Sequence, residues 1–463
     1  MKHRKLCHTT QISAIGKKEK IILLALLLMV CTIQSCKKFV EVNSLKDQLL
    51  AGQVFSTDAT ANSAVAGIYT QAKGLMIDFA VNGGLASDDL VDYTSSLSFQ
   101  NYQHNTIPAN DGALPWSQLY SVIYSANAAI EGLSGNTSVS QKAKAYYTGE
   151  AEFLRAYSYF YLVNLFGDVP LIVSTDVTKS AIAPRADAHD VYTQIIADLI
   201  DAQNKLGTDY SYTGGDKTRA DKWVATALLA RVYLYQKDWK DAEAQATAVI
   251  NSGQYSLLDN PNGIFLADNN EAILQWARFN GEVNSLPSFF IFSNSPQTVC
   301  SDFLLNAFEP GDLRKTTWLM SGVYLNNTIY YPFKFTTTST STTEDYTVLR
   351  LAEQYLIRAE ARVMQNNVSN GLSDLNLVRQ KHGGLPGLSN LNQQNSLTAI
   401  MHERQVDLFT EEMQRFFDLK RTGKIDSVMM AEKPATWKST AALYPIPLSD
   451  IQRDPNLTQN PGY

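Results

Sequence analysis

Residues Gly149–Leu171 read GEAEFLRAYSYFYLVNLFGDVPL. Ala151, Leu154, Tyr161, Leu162 and Leu165 recur at helical spacing, with the small Ser158 on the same stripe. The periodic segment begins near Gln141 and runs to Phe166, where Gly167 stops it and Pro170 prevents its resumption. The segment is apolar on more than one side, which predicts a central helix. A polar group buried in such a helix needs a partner, so Glu150, Glu152 and Arg155 are expected to be paired.

Helical periodicity extends to both sides. Further helices are predicted over about Ser63–Leu75, Ser117–Leu133 and Asp190–Leu206, the last with Val191, Ile195, Leu199 and Ala202 on one face. Trp223–Tyr235 (WVATALLARVYLY) and Trp239–Asn251 follow, joined by the tight link Gln236-Lys237-Asp238. Ala227, Ala230, Ala242 and Ala246 would let these two helices pack closely, in the manner of a tetratricopeptide pair. Leu349–Gln365, Gly371–Lys381 and Leu397–Leu419 complete the helical set. Two stretches break the pattern. Val81–Trp116 is rich in Gly, Asp, Asn, Ser and Tyr and is expected to be a long loop region. Asp259–Phe335 mixes Asn, Pro and Ser with aromatics, and it leads into the low-complexity run Thr336–Thr343 (TTTSTSTT). The Pro-rich tail Tyr444–Tyr463 reads as turns. The fold class is therefore mainly α: a tetratricopeptide-like helical body with a loop-rich part.

The N-terminus carries a different signal. Lys17, Lys18 and Lys20 precede a 13-residue apolar run, Ile21–Ile33, and Gln34-Ser35 then leads to Cys36. A basic region, a short apolar core and a small residue before a cysteine make a lipoprotein signal, with Cys36 as the acylated first residue. A membrane span needs ~20 residues. The alternatives are an uncleaved anchor or a plain signal peptide with an incidental cysteine. Removing 1–35 leaves 428 residues. The leader's net charge is +5 and the whole chain's −6, so the remainder carries −11. That balance excludes a nucleic-acid-backbone binder and leaves the lipid as the only membrane attachment. Cys7 and Cys31 depart with the leader, so Cys300 remains without a disulfide partner. His104, His189, His382 and His402 share no metal-ligand spacing. No cofactor or metal is expected.

Glu403, Arg404, Glu411, Arg415, Asp418 and Arg421 invite a catalytic reading, since paired carboxylates can hydrolyse glycosides. Alternating acids and arginines at helical spacing more often make ion pairs, and that is the reading adopted. No nucleotide loop, HExxH pair or GxSxG elbow appears. Asp88 and Asp89 lie shortly after Gly83 and Gly84 without calcium-loop spacing, and a surface loop is expected there. Ligand chemistry would rest on loop aromatics. A flat ring stacks on the CH face of a sugar, and amides, acids or arginine satisfy its hydroxyls. The candidates are Asp89, Tyr93, Tyr102, Asn105, Trp276, Arg278, Phe279 and Trp318. Trp116, Trp223 and Trp239 are expected to pack.

Four segments together resemble the SusD/RagB family of outer-membrane nutrient-binding lipoproteins. These are Gly149–Leu171, Val348–Ala361 (VLRLAEQYLIRAEA), Glu403–Gly423 (ERQVDLFTEEMQRFFDLKRTG) and Leu443–Tyr463 (LYPIPLSDIQRDPNLTQNPGY). Asp407, Met413, Phe416, Asp450 and Asp454 depart from the usual residues at packing positions. The resemblance implies a non-enzymatic protein on the outer membrane, facing outward. Such a protein would hand oligosaccharide to a SusC-like TonB-dependent barrel. It also implies a division into a leader (1–35), an N-terminal helical region (36–255) and a C-terminal region with the loop-rich insert (256–463). A peptide or other nutrient as cargo, a lipid-anchored glycoside hydrolase using Glu403 or Glu411, and a periplasmic scaffold remain the alternatives.

Overall fold

The computed structural model describes residues 54–278, 282–292, 295–337, 340 and 343–463. Cys36, the leader and Phe279 lie outside the described residues. The first helix of the described residues, α1 (Asp58–Lys73), starts at a capping box between Thr57 and Thr60. Then come α2 (Leu97–His104), α3 (Trp116–Leu133) and α4 (Gln141–Phe166). Ser140 Oγ caps α4 by accepting from the Ala143 N–H, and Gly167 ends the helix at φ 73°. From Gly149 to Phe166 every residue of α4 is buried, so the helix is central, as its all-round apolarity predicts. Its polar groups are paired. Glu150 accepts from Arg219 Nε (2.7 Å) and Tyr69 OH (3.0 Å). Glu152 binds Lys205 (2.6 Å), and Arg155 forks onto Asp198 at 2.8 and 2.7 Å.

The chain continues through α5 (Ala188–Lys205), α6 (Lys222–Tyr235), α7 (Trp239–Ile250), α8 (Leu351–Met364), α9 (Val368–Gly383) and α10 (Gln393–Leu408). From α3 to α10 each helix packs on the next. Ala227, Ala230, Ala242 and Ala246 are fully buried in the α6–α7 hairpin, whose link turns through Lys237 at φ 60°. Between α8 and α9, a Cβ on Gly371 would sit 2.8 Å from Ala359 O, so this close approach needs glycine. One hundred residues separate the end of α7 from the start of α8, yet the two helices pack directly. The loop-rich stretch is therefore an excursion inserted between consecutive members of one stack. Residues on both sides of position 255 share one core.

Among the described residues, eight short strands form four two-stranded ladders: β1 (Leu90–Asp92), β2 (Val169–Pro170), β3 (Arg185–Ala186), β4 (Ala272–Trp276), β5 (Thr298–Cys300), β6 (Leu319–Tyr324), β7 (Asn327–Pro332) and β8 (Tyr346–Arg350). β4 pairs antiparallel with β8, which ties the two ends of the excursion at its base. β5 leaves the excursion to pair with β1, and β6–β7 is a hairpin turning at Leu325 (φ 48°) and Asn326 (φ 64°).

Three sequence expectations are corrected. The tail Tyr444–Tyr463, expected as turns, holds a short helix at Leu448–Arg453 between its prolines. Val81–Trp116 is not a loop: it contains a helical turn at Gly83–Ala86, β1 and α2. Gly83 is what admits the chain here, since its Cβ would lie 2.8 Å from Met413 Cγ. Leu397–Leu419 is not one helix either. It breaks after α10 and resumes as α11 (Gln414–Arg421), followed by α12 (Ile425–Glu432) and α13 (Leu448–Arg453). Thr410, Glu412 and Met413 all take positive φ at the break. Non-local contacts hold that conformation. Glu412 accepts from Tyr157 OH (2.9 Å) and from Tyr161 OH, Glu411 binds Lys334 and Arg350, and the Met413 N–H donates to Phe79 O (3.2 Å).

Candidate functional site

The carboxylates with catalytic potential are sealed in ion pairs. Glu403 meets Arg314 Nη1 at 2.5 Å, and Arg314 also holds Asp312 and Asp407. Glu411 lies against Lys334 (2.5 Å) and Arg350 (2.8 Å). Arg404 and Arg421 share Asp418, and Arg421 also reaches Glu360. His382 bridges Asp407 (2.8 Å) and Glu271 (3.0 Å). Burial pulls the His382 imidazole down, but the charges of Glu271 and Asp407 outweigh it and raise the pKa to about 9. The charged C-terminal helices thus lock the stack to the excursion, as the sequence spacing suggests. Among the described residues no group of three His, Cys, Asp or Glu side chains is placed to hold a metal ion.

Most of the sequence-selected ligand residues face inward. Trp276 is 2 % exposed, wedged edge-on against Tyr69 and Tyr157, and Trp318 is 1 % exposed with Nε1 donating to Pro261 O at 3.0 Å. Tyr102 is buried and donates to Ala113 O (2.9 Å). Asn105 ends α2 at φ 54°, with Nδ2 donating to Ala86 O (2.9 Å) and Oδ1 accepting from Lys433 Nζ (3.1 Å). Asp88 and Asp89, expected on a surface loop, are buried. Asp88 takes a fork from Arg415 (2.6 Å on each arm), and Asp89 accepts from the Thr410 N–H (3.3 Å). Burial, then the Asp88 charge, raises the Asp89 carboxyl above the usual range. The Arg278 side chain is held by Glu344 O at 2.6 Å. The structure turns these side chains inward, which the local sequence could not reveal; Asp89 Oδ1, Trp276 Nε1 and both terminal nitrogens of Arg278 are buried there without a hydrogen-bond partner.

Tyr93 is different. It directly follows β1, and its N–H donates to Gln297 O (2.8 Å), which prolongs the β1–β5 ladder. Its neighbours are fixed by short side-chain turns. Asp92 Oδ1 accepts from the Thr94 N–H (2.8 Å) and hydroxyl (2.7 Å), and Thr94 Oγ1 accepts from the Ser96 N–H (3.0 Å). The Tyr93 ring is 43 % exposed and meets Tyr324 edge-on at 6.1 Å. Tyr324 in turn meets Phe292 at 6.3 Å. Gly322 leaves room for Phe292, whose Cδ1 lies 2.8 Å from where a Cβ would be. Leu97, Val323, Leu325 and Tyr330 are exposed on the elements that carry this group. The arrangement is a fixed aromatic surface flanked by Asp92, Thr94 and Gln297. It can stack on the apolar face of a flat ring ligand and hydrogen-bond around its rim. Tyr324 and Phe292 were not selected from sequence. The signal for Tyr324 is its place beside the two-residue turn of a β-hairpin.

A family model described as "Starch-binding associating with outer membrane" matches residues 38–234, and the SusD family model matches residues 313–463. The chain belongs to the SusD/RagB family. It is 24% identical to SusD-like protein P25 of Formosa agariphila over 96% of this chain and 100% of that protein. It is 27% identical to a SusD-like protein of Bacteroides ovatus over 79% of this chain and 76% of that one. A solved structure titled "Laminarin binding SusD-like protein" superposes with a TM-score of 0.77 at 26% identity, covering 88% of this chain and all of that one. The observed architecture is a mainly α SusD fold. No helix of the described residues is long and apolar enough to cross a membrane.

Proposed function

We propose that this chain is a glycan-binding lipoprotein of the outer membrane. It holds neutral oligosaccharide on the Tyr93–Tyr324–Phe292 surface and passes it to a SusC-like TonB-dependent barrel. The observation that carries the reading is the exposed aromatic group, fixed by the β1–β5 ladder and the β6–β7 hairpin, in a chain of the SusD/RagB family. Tyr93 is the sequence-selected residue retained in the site; Tyr324 and Phe292 join it. The glycan class draws support from the starch-binding description of the family model and from the laminarin-binding structural relative. The sealed state of Glu403 and Glu411 favours binding without turnover. Acylation at Cys36 supplies the anchor, and the protein faces outward with the barrel as its partner.

Affinity electrophoresis of the purified chain through laminarin and starch tests the reading. Retardation should be lost in Tyr93→Ala and Tyr324→Ala while the melting temperature holds. Unchanged retardation in both variants would move the site elsewhere, and release of reducing ends would make the protein an enzyme. For the anchor, Cys36→Ala should abolish palmitate labelling and release the protein from membranes.

A further inference from the structure

A second surface has the chemistry of a ring-binding site and is separate from the Tyr93 group. Between α3 and α13 lies a trough of about 730 Å³, within the size range of small-molecule sites. Its α3 wall carries Tyr120 and Tyr124, one helical turn apart, with Ser121 beside them. Tyr120 is anchored by donating to Pro170 O (2.8 Å), so its ring is set. Tyr124 is 52 % exposed. The opposite wall is α13, with Asp450 and Arg453.

Asp450 is the unexplained group. One carboxylate oxygen, Oδ2, is shut off from solvent without a hydrogen-bond partner, and the other is 3.9 Å from Arg453 Nη1, beyond hydrogen-bond reach. Oδ2 is out of a ligand's reach, but Oδ1 is open and has no direct hydrogen bond, so it can accept one from an arriving donor. Arg453 is 79 % exposed at its side chain. Two tyrosines, a carboxylate short of donors and an exposed guanidinium match a neutral polyhydroxylated ring. The ring's CH face would lie on Tyr124, and its hydroxyls would donate to Asp450 and accept from Arg453.

We propose that the α3–α13 trough is a second glycan-contact site for a hexose unit of the same chain that occupies the Tyr93 surface. The proposal rests on the glycan-binding reading. The Tyr93 segment runs into α2, and α2 and α3 are consecutive helices. The segment joining them is pinned to the start of α13 by Leu448 N–H donating to Ala109 O (2.8 Å). Two weak contacts on one polymer raise its apparent affinity without a new strong site.

The test uses the full mature chain and calorimetry with laminarin, starch and an array of neutral glycans. Three variants join wild type: Tyr124→Ala/Asp450→Asn, Tyr93→Ala/Tyr324→Ala, and the two sets combined. Removing the trough pair should weaken polymer binding roughly tenfold, with the melting temperature unchanged. Calorimetry at high glycan concentration should still detect weak binding by Tyr93→Ala/Tyr324→Ala, below what retardation registers, and the combined variant should lose it. Wild-type affinity in the trough variant, beside lost affinity in the Tyr93/Tyr324 variant, would overturn the second site and leave the first standing. The same pattern is expected if the trough serves a protein partner instead. Absence of binding by wild type to every glycan would overturn both readings.

Discussion

Helix α4 and the neighbourhood of the β6–β7 hairpin are both rich in tyrosine and phenylalanine, and they use these residues in opposite ways. In α4, Tyr157, Tyr159, Phe160 and Tyr161 are fully buried. Their hydroxyls are spent inside the protein: Tyr157 and Tyr161 on Glu412, Tyr159 on Ile172 O at 2.8 Å. Around the hairpin, Tyr93, Tyr324 and Tyr330 keep surface open to solvent. A buried tyrosine costs least when its hydroxyl has a partner, and α4 finds partners for these three in the surrounding chain. The excursion buries most of its rings, Trp276 and Trp318 among them, but at the hairpin Tyr324 and Tyr330 stay partly open beside Tyr93. The comparison teaches that aromatic content marks neither core nor ligand face; the closure of the surroundings does.

Four outcomes would break or sharpen that contrast. The largest concerns the ion-pair lock between the excursion and the stack. Arg314→Ala leaves Asp312, Glu403 and Asp407 without their common cation, and should cost ~3–5 kcal/mol, as removal of one partner of a buried charge set does. Urea denaturation would read it; a loss below 1 kcal/mol would mean the lock is dispensable.

Next is packing in the stack itself. Leu154→Ala, at a position with no exposure, should lower stability by ~2–5 kcal/mol. A melting temperature equal to that of wild type would place α4 at the periphery and remove one side of the comparison.

A smaller effect should appear as a pH dependence. His382 has an ordinary pKa of 6.5 and is held at about 9 in the folded chain. A raised cationic pKa means the folded state binds the proton more tightly than the unfolded state. The stabilisation is therefore complete below pH 6.5 and is lost as pH rises towards 9. Denaturation of wild type and His382→Gln in parallel at pH 6 and pH 9 isolates this group. The gap between the two proteins should narrow at the higher pH, and a gap that widens would reverse the assignment of charge.

The smallest effect on stability belongs to the exposed patch. Tyr93→Ala should change stability by about 0.5 kcal/mol or less, as surface substitutions do, while removing glycan retardation. A large stability loss would show Tyr93 to be a packing residue like those of α4.

The helical body was legible in sequence because its information is local. Gln141–Phe166 has the predicted ends, since Ser140 and Gly167 act on the backbone within a few residues. The α6–α7 pair followed from its alanines.

The tertiary structure decided what local pattern cannot encode. The excursion leaves and rejoins the stack between α7 and α8 because β4 and β8, far apart in sequence, pair at its base. The break at 409–413 exists because Tyr157, Tyr161, Phe79, Lys334 and Arg350 reach it from distant segments, and those contacts outweigh the helical tendency of Leu397–Leu419. Trp276 and Trp318 sit in the same loop-rich texture as Tyr324, yet two are interior and one reaches the surface. Neighbours within a few residues set backbone conformation, whereas burial depends on what packs across from each side chain. Residues far away in the chain supply that packing, so local sequence determined the ends of a helix such as α4, and only the three-dimensional fold decided which aromatic rings stay open to solvent.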